Sequence, residues 1–402
     1  MAKAAIMGFG TVGSGVYDII TDNSERVRVN AGEDVEIKYI LDIRDFPAHP
    51  HQELFTKDFN DILNDDEVTV IAEVMGGLHP AYEFTKSILE SGKSVVTSNK
   101  ELVATYGTEL LEIARKNNVN YLFEASVGGG IPIIRPMHQC LTANNIVKIA
   151  GILNGTTNYI LNEMIKKGKA FETALADAQE KGYAERNPAA DIEGHDACRK
   201  IAILASLASQ KFVDYNDIPT EGITEITLDD VNYASKLDSV IKLIGYAHFL
   251  ENGKIYSIVA PMLIDKANPL AGVDGVMNAI MLEGDCVGNV MFYGAGAGKL
   301  PTASAVVADV IDAAKHRERS KKIFWEKPES DIAASQDDEK FAYFVRTNDS
   351  TETVREIFGK CRFVDNIVKN ESAFVTEPYT VSEINDRLSK LSSVISRIKV
   401  LG

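Results

Sequence analysis

Cysteine is scarce, with four residues at positions 140, 198, 286 and 361 of a 402-residue chain. They form no CxxC pair and share no regular spacing, which argues against a disulfide framework or a zinc cluster as the organising theme. Long apolar runs are missing as well. The longest resemble residues 201–205, far short of the roughly 20 residues needed to cross a bilayer. No secretory leader is legible, because the apolar segment after Met1-Ala2-Lys3 runs at once into glycines. A reducing cytoplasm is the default expectation. Basic charge is also short: 42 Lys and Arg against 58 Asp and Glu leave a net −16. That field repels polyphosphate, so nucleic acid and anionic membrane surfaces are poor candidates as main partners. Internal repeats and low-complexity tracts are absent from the sequence. What remains is 45% hydrophobic and 25% charged, the make-up of an ordinary globular protein and not of a disordered or collagen-like chain. At about 100–200 residues per domain, two or three domains are expected.

Strand-like segments at 4–7, 35–41, 68–74 and 94–97 are interleaved with helical spacing at 12–20 and 80–90. Strands separated in this way imply right-handed βαβ units and a parallel sheet. From about residue 135 the pattern changes. A strand is expected at 147–153, helices at 157–167 and 171–181, a long helix from 194 or 195 through 207, and strands at 241–249 and 255–263. This is a second, mixed α/β unit. An amphipathic helix at 301–314 follows the glycine-rich residues 294–298, and the charged stretch 315–340 reads as a short helical extension and a linker. Beyond it come a strand at 341–347, a helix at 351–360, strands near 364–368 and at 373–376, a helix at 382–391 and a strand at 394–400. That βαββαβ order describes a small ferredoxin-like unit.

Gly8-Phe9-Gly10-Thr11-Val12-Gly13 matches GxGxxG between the first strand and the first helix. Gly8 permits a tight turn, Gly10 lets backbone approach a pyrophosphate, and Gly13 lets the helix sit close on the strand. The helix N-terminus then offers N–H groups and partial positive charge to the phosphates. The cofactor is NAD or NADP, and two residues disagree about which. Asp42, 29 residues past Gly13, would bind a ribose 2′-hydroxyl and repel a 2′-phosphate, whereas Arg44 would accept that phosphate. Either could instead be a solvated surface charge.

Ser98-Asn99-Lys100 follows a strand, at the sheet edge where ligands bind in open α/β folds. The glycine-rich Glu124-Ala125-Ser126-Val127-Gly128-Gly129-Gly130-Ile131-Pro132 suggests backbone held near a ligand or ion, with carbonyls able to coordinate. The densest constellation is Gly182-Tyr183-Ala184-Glu185-Arg186-Asn187-Pro188 followed by Asp191-Ile192-Glu193-Gly194-His195-Asp196-Ala197-Cys198-Arg199-Lys200. On a helix, Asp196 and Lys200 stand at i and i+4 and share a face. On a surface that is a weak ion pair; in a pocket it orients a lysine beside a reacting oxygen.

With these motifs, with residues 151–161 (Gly-Ile-Leu-Asn-Gly-Thr-Thr-Asn-Tyr-Ile-Leu), and with Gly296-Ala297-Gly298 and Pro301-Thr302-Ala303-Ser304-Ala305, the sequence strongly resembles homoserine dehydrogenases over roughly residues 4–315. The resemblance implies NAD(P)-dependent interconversion of L-homoserine and L-aspartate 4-semialdehyde, on the route to threonine and methionine. Matched position by position, it implies Lys200 as general acid/base and Asp196 as the residue that positions it. Glu185 would hold the substrate ammonium, with Asp191 bordering it and Lys100 where cofactor and substrate meet. Gly8, Phe9, Gly10, Thr11, Val12 and Gly13 would form the pyrophosphate loop, with Arg44, Gly76, Ser98 and Gly298 around the rest of the cofactor. Glu124 and the carbonyls of Val127, Gly129 and Ile131 would hold a monovalent cation, sodium, as a structural brace. Arg186 and His195 depart from the family pattern, and His195→Ile is expected to leave turnover almost intact.

The expected architecture is therefore α/β. It comprises a Rossmann-type NAD(P)-binding domain (1–134 plus about 296–318), a mixed α/β substrate and dimerisation domain (135–295), a linker (319–340) and a βαββαβ unit (341–402) that looks like an ACT domain. ACT modules pair through strands and often bind an amino acid, here threonine. The turn Thr347-Asn348-Asp349-Ser350-Thr351 lacks the glycine usual at such a site, so an assembly role is the stronger expectation. A homodimer or larger homo-oligomer is expected, with no fused aspartokinase. Two other readings stand beside this one. A dehydrogenase for a different amino-acid-like alcohol is opposed by Glu185 and the 191–200 block, and a catalytically silent amino-acid sensor by the retention of Lys200, Asp196, Glu185 and Lys100.

Overall fold

The apolar segment near the N-terminus becomes a central strand of a parallel sheet in the computed structural model, which describes residues 1–317, 319–321 and 323–402. Positions 318 and 322, within the expected return segment and linker, lie outside the described residues. Contacts divide the chain into two units: Met1–Asn145, Ala202–Tyr215 and Phe292–Ser330 in one, Ile146–Ile201, Asn216–Met291 and Asp331–Gly402 in the other.

The first unit runs β1 (Ala2–Met7), α1 (Thr11–Asp22), α2 (Ser24–Ala31), β2 (Val35–Leu41), β3 (Phe55–Thr56), α3 (Phe59–Leu63), β4 (Val68–Glu73), α4 (Ala81–Glu90), β5 (Ser94–Thr97), α5 (Lys100–Lys116) and β6 (Tyr121–Leu122). The strand order is β3-β2-β1-β4-β5-β6, with every pairing parallel. Strands β1, β4 and β5 are near-continuous apolar runs because helices cover both faces of such a sheet. Ile6, Val70 and Val96 share one core with Val16 and Ile20 of α1 and with Ala303, Val306 and Val310 of the helix Lys299–Lys315.

In the second unit, β7 (Ile146–Ile152), α6 (Gly155–Lys167), α7 (Phe171–Glu180), α8 (Ala189–Ile192) and α9 (His195–Ser209) are followed by α10 (Leu228–Lys236), β8 (Ser239–Phe249), β9 (Ile255–Asp265), β10 (Met277–Gly284) and β11 (Gly288–Ala295). The helix Lys299–Lys315 is α11. After it come β12 (Tyr343–Thr347), α12 (Thr351–Phe358), β13 (Cys361–Val364), β14 (Ser372–Thr376), α13 (Val381–Leu388) and β15 (Ser396–Leu401). Elements α9 and β11 each cross the division between the units. The mixed sheet has nine strands in the order β11-β10-β7-β8-β9-β15-β12-β14-β13.

Three local expectations change. The C-terminal βαββαβ segment is not a sheet of its own, since β15 pairs in parallel with β9 and extends the sheet of the preceding region. Its second strand lies at Cys361–Val364, earlier than expected, because Ile367 and Val368 belong to a turn whose N–H groups donate to the Tyr233 hydroxyl at 3.1 and 3.2 Å. The stretch expected as a linker also contributes packing. Trp325, the single tryptophan, is buried against Phe123, and its Nε1–H donates to Thr108 Oγ1 at 3.0 Å.

Candidate active site and cofactor site

The candidate residues fall into two groups, one in each unit. In the first unit, β1 ends at Met7 and the chain turns through Gly8 at φ +96°, a left-handed conformation that favours glycine. A Cβ on Gly8 would come within 2.9 Å of the Met75 Cα, and one on Gly13 within 1.9 Å of the Gly8 carbonyl oxygen. No side chain fits at either place. A Cβ on Gly10, by contrast, would meet nothing within 4 Å, so backbone here is open to a ligand, with α1 starting at Thr11. The residues therefore fit a pyrophosphate.

Phe9 needs a correction as a phosphate contact. Its N–H donates to Asp42 Oδ2 at 2.7 Å and is already spent. Asp42 also accepts from the Arg44 N–H, Nε and Nη2 at 2.9, 2.9 and 2.8 Å. The Arg44 guanidinium, aided by these backbone N–H groups, holds the Asp42 carboxyl down at about 2 against the effect of burial. Asp42 is thus an anchor of the glycine turn, and Arg44 cancels its charge. Arg44 lies over the Phe46 ring and lines a hollow of about 270 Å³ with Phe46, Gln52 and Lys57.

At the same sheet edge, Gly76 has φ +81° and an open Cβ direction. Ser98 follows β5, Asn99 caps α5 by accepting the Leu102 N–H at 3.1 Å, and Lys100 is the first residue of that helix. Gly298 caps α11 at φ +125°.

Glu124 is buried, and both its oxygens accept backbone N–H groups: Oε1 from Ile133 and Ile134 at 2.6 and 2.8 Å, Oε2 from Arg135 at 2.8 Å. Its own N–H donates to Asp309, which pairs with Arg135. Burial, reinforced by the charge of Glu124, pushes the Asp309 carboxyl up. In the candidate cation loop, Ile131 N–H donates to the Gly128 carbonyl at 2.8 Å and Gly130 N–H to the Ala295 carbonyl at 3.0 Å. An all-oxygen set of one carboxylate and the carbonyls of Val127, Gly129 and Ile131 suits a hard monovalent ion. Such an ion would share a carboxylate that already organises the following turn. Among the described residues, no group of three or more His, Cys, Asp and Glu could hold a metal.

The second unit contains the reactive constellation. Residues His195–Ser209 form α9, so Asp196 and Lys200 do share a face. Both are buried, at 6% and 7% exposure. Lys200 Nζ donates to Asp196 Oδ2 and to the Leu153 carbonyl, each at 2.7 Å. Asn154 completes the arrangement and was assigned no role from sequence. Its Oδ1 caps α6 by accepting the Thr157 N–H at 2.9 Å, and its Nδ2 donates to Asp191 Oδ1 at 2.7 Å and Asp196 Oδ2 at 2.9 Å. Burial raises the Asp191 carboxyl; the Asn154 hydrogen bond opposes this and the charge of Asp196 adds to it. Glu185 is exposed, on a turn anchored to the start of α6 by a hydrogen bond from Thr156 Oγ1 to the Tyr183 carbonyl at 2.7 Å. His195 faces Glu193 at 3.2 Å, and both are exposed.

A 3-2-1-4-5-6 parallel sheet with a glycine turn between β1 and α1 defines a dinucleotide-binding protein. Residues 8–124 match the family model described as the homoserine dehydrogenase NAD binding domain, and residues 132–311 match that of homoserine dehydrogenase. A Bacillus subtilis homoserine dehydrogenase is 41% identical over 318 residues, covering 78% of this chain and 73% of its own. The crystal structure of a Thiobacillus denitrificans homoserine dehydrogenase superimposes with a TM-score of 0.89 at 35% identity, covering 100% of this chain and 98% of its own. A hyperthermophilic archaeal homoserine dehydrogenase in complex with NADPH covers 78% of this chain and 97% of its own, with a TM-score of 0.65 at 29% identity. The chain belongs to the homoserine dehydrogenase family. Its reaction interconverts L-homoserine and L-aspartate 4-semialdehyde, in threonine and methionine biosynthesis.

Proposed function

We propose that Lys200 carries the proton in this reaction, a reading that rests on its buried hydrogen bonds to Asp196 and the Leu153 carbonyl. When bound, the nicotinamide supplies or accepts the hydride. In the reductive direction the aldehyde oxygen gains negative charge, and the Lys200 ammonium donates a proton to it. Asp196 and Leu153 fix the direction of that ammonium, and Asn154 keeps Asp196 and Asp191 in place. Glu185 and Asp191 take the substrate ammonium; a cation beside Asp191 would offset the burial that raises its carboxyl. Lys100 stands where cofactor and substrate meet, with Ser98, Gly76 and Gly298 around the nicotinamide half.

NADP is the favoured cofactor in this reading. The Asp42 carboxylate is consumed by Phe9 and Arg44, so the group that would repel a 2′-phosphate is neutralised and its partner is a phosphate-binding guanidinium. Assays of homoserine-dependent reduction should show a lower KM for NADP+ than for NAD+. In Arg44→Ala, KM for NADP+ should rise about tenfold while that for NAD+ changes less than about twofold. Equal rises for both cofactors would contradict the assignment.

The domain roles in this reading are cofactor binding by 1–134 with about 296–318, substrate binding and dimerisation by 135–295, a connecting stretch at 319–340 and an ACT-like unit at 341–402. A sodium ion at Glu124, Val127, Gly129 and Ile131 and a cytoplasmic homo-oligomer complete it. The ACT-like unit serves assembly and not effector binding. The polar groups of its first turn are already engaged, since Asp349 Oδ2 accepts from Thr347 Oγ1 at 2.7 Å and from the Ser392 N–H, in the turn before β15, at 2.9 Å. Isothermal titration with millimolar threonine should give no binding heat and no inhibition; saturable heat would reverse this assignment.

A further inference from the structure

We infer that Glu73 is a positioning residue for the cofactor, acting through the βα turns that its carboxylate ties together. It ends β4 at the carboxyl edge of the parallel sheet and is wholly buried. A carboxylate in such a place is costly unless its oxygens are hydrogen-bonded, and here they are. Oε1 accepts the Met75 N–H at 2.9 Å, and Oε2 accepts the Thr97 hydroxyl at 2.6 Å. The Gly76 backbone and the Asn99 side chain further favour its charged form.

These groups lie at the ends of two neighbouring strands. Met75 and Gly76 belong to the turn after β4, whereas Thr97 ends β5 and Asn99 lies in the turn that leads from it into Lys100. Asn99 extends the link, donating from Nδ2 to the Gly77 carbonyl at 2.6 Å and from its N–H to Thr97 Oγ1 at 2.9 Å. A third turn is reached by packing, since Met75 is the residue against which Gly8 closes. One buried carboxylate therefore fixes the relative places of the glycine turn, the Gly76 turn and the start of α5. Burial raises the carboxyl, and its hydrogen bonds oppose that rise. None of its atoms needs to touch the cofactor for this role.

The inference rests on the reading that the cofactor lies along this sheet edge. NADPH titration by fluorescence, with the thermal midpoint of the cofactor-free protein, tests both separately. Glu73→Gln keeps the size and one acceptor oxygen but puts an NH2 group where an acceptor is needed. Its Kd for NADPH should rise about tenfold or more, while KM for homoserine at saturating cofactor stays within about twofold. Thr97→Val, which removes one spoke of the hub without changing its volume, should move Kd in the same direction by a smaller factor and covers the case in which Glu73→Gln fails to fold. A folded Glu73→Gln with wild-type NADPH affinity overturns the role of Glu73, as does Thr97→Val with wild-type affinity if Glu73→Gln does not fold. Wild-type affinity retained in Gly10→Val would instead overturn the placement of the cofactor.

Discussion

Asp42 serves the glycine turn before it serves any ligand. Its folded pKa of about 2 lies below the unfolded value near 4, so the linked stability is fully present above about pH 4 and is lost as pH falls through about 2. Because Arg44 is more than half exposed, solvent screening limits that contribution to about 1 kcal/mol. Thermal midpoints should accordingly show Asp42→Asn below wild type at pH 7, the gap closing between pH 4 and pH 2. A gap that stayed constant across that range would show that the carboxylate charge is not what stabilises the turn. The reactive residues were legible because Asp196 and Lys200 obey a helical spacing. Asn154 went unassigned, although an Asn three residues before Thr157 fits the helix cap that the structure shows. Its bonds to Asp191 and Asp196 join positions 37 and 42 residues away, and local pattern carries no such information. Glu73 was hidden for a related reason: a single acid ending an apolar strand looks like an exposed strand end until its partners on the next turn are seen.

Arg346 of β12 shows what ties elements together inside the second unit. It is 2% exposed, pairs with Glu371 through Nε and Nη2, and donates from Nη1 to Asp230 of α10 at 2.9 Å. Removing one member of a buried network leaves the others charged and unpaired, at a cost of about 3–5 kcal/mol. Arg346→Met should therefore lower the urea midpoint markedly while leaving kcat at a stabilising temperature within about twofold. A wild-type midpoint would show that α10 and β12 are held by apolar packing alone. The alternation of β and α elements in the first unit was readable because parallel strands are continuous apolar runs with helices between them. The β15–β9 pairing was not, as it joins residues such as Lys399 and Met262, and sheet partners that far apart leave no trace in periodicity. The strand expected near 364–368 failed because Ile367 and Val368 are apolar yet spend their N–H groups on Tyr233.

At the scale of the whole molecule, the net charge of −16 means that an anionic dinucleotide must be held by local groups, the partial positive charge at the start of α1 and the N–H donors of the Arg44 guanidinium. Chain order and spatial grouping also diverge: residues 202–215 and 292–330 return to the first unit. Composition could bound the number of domains but not that return, which depends on α11 completing the core around Val16 and Ile20. Whether Lys200 moves the proton is tested most directly in Lys200→Met, with homoserine-dependent NADP+ reduction measured beside NADPH affinity. Turnover should fall about 100- to 10,000-fold with Kd for NADPH within about twofold of wild type. Undiminished turnover in that variant would contradict the account.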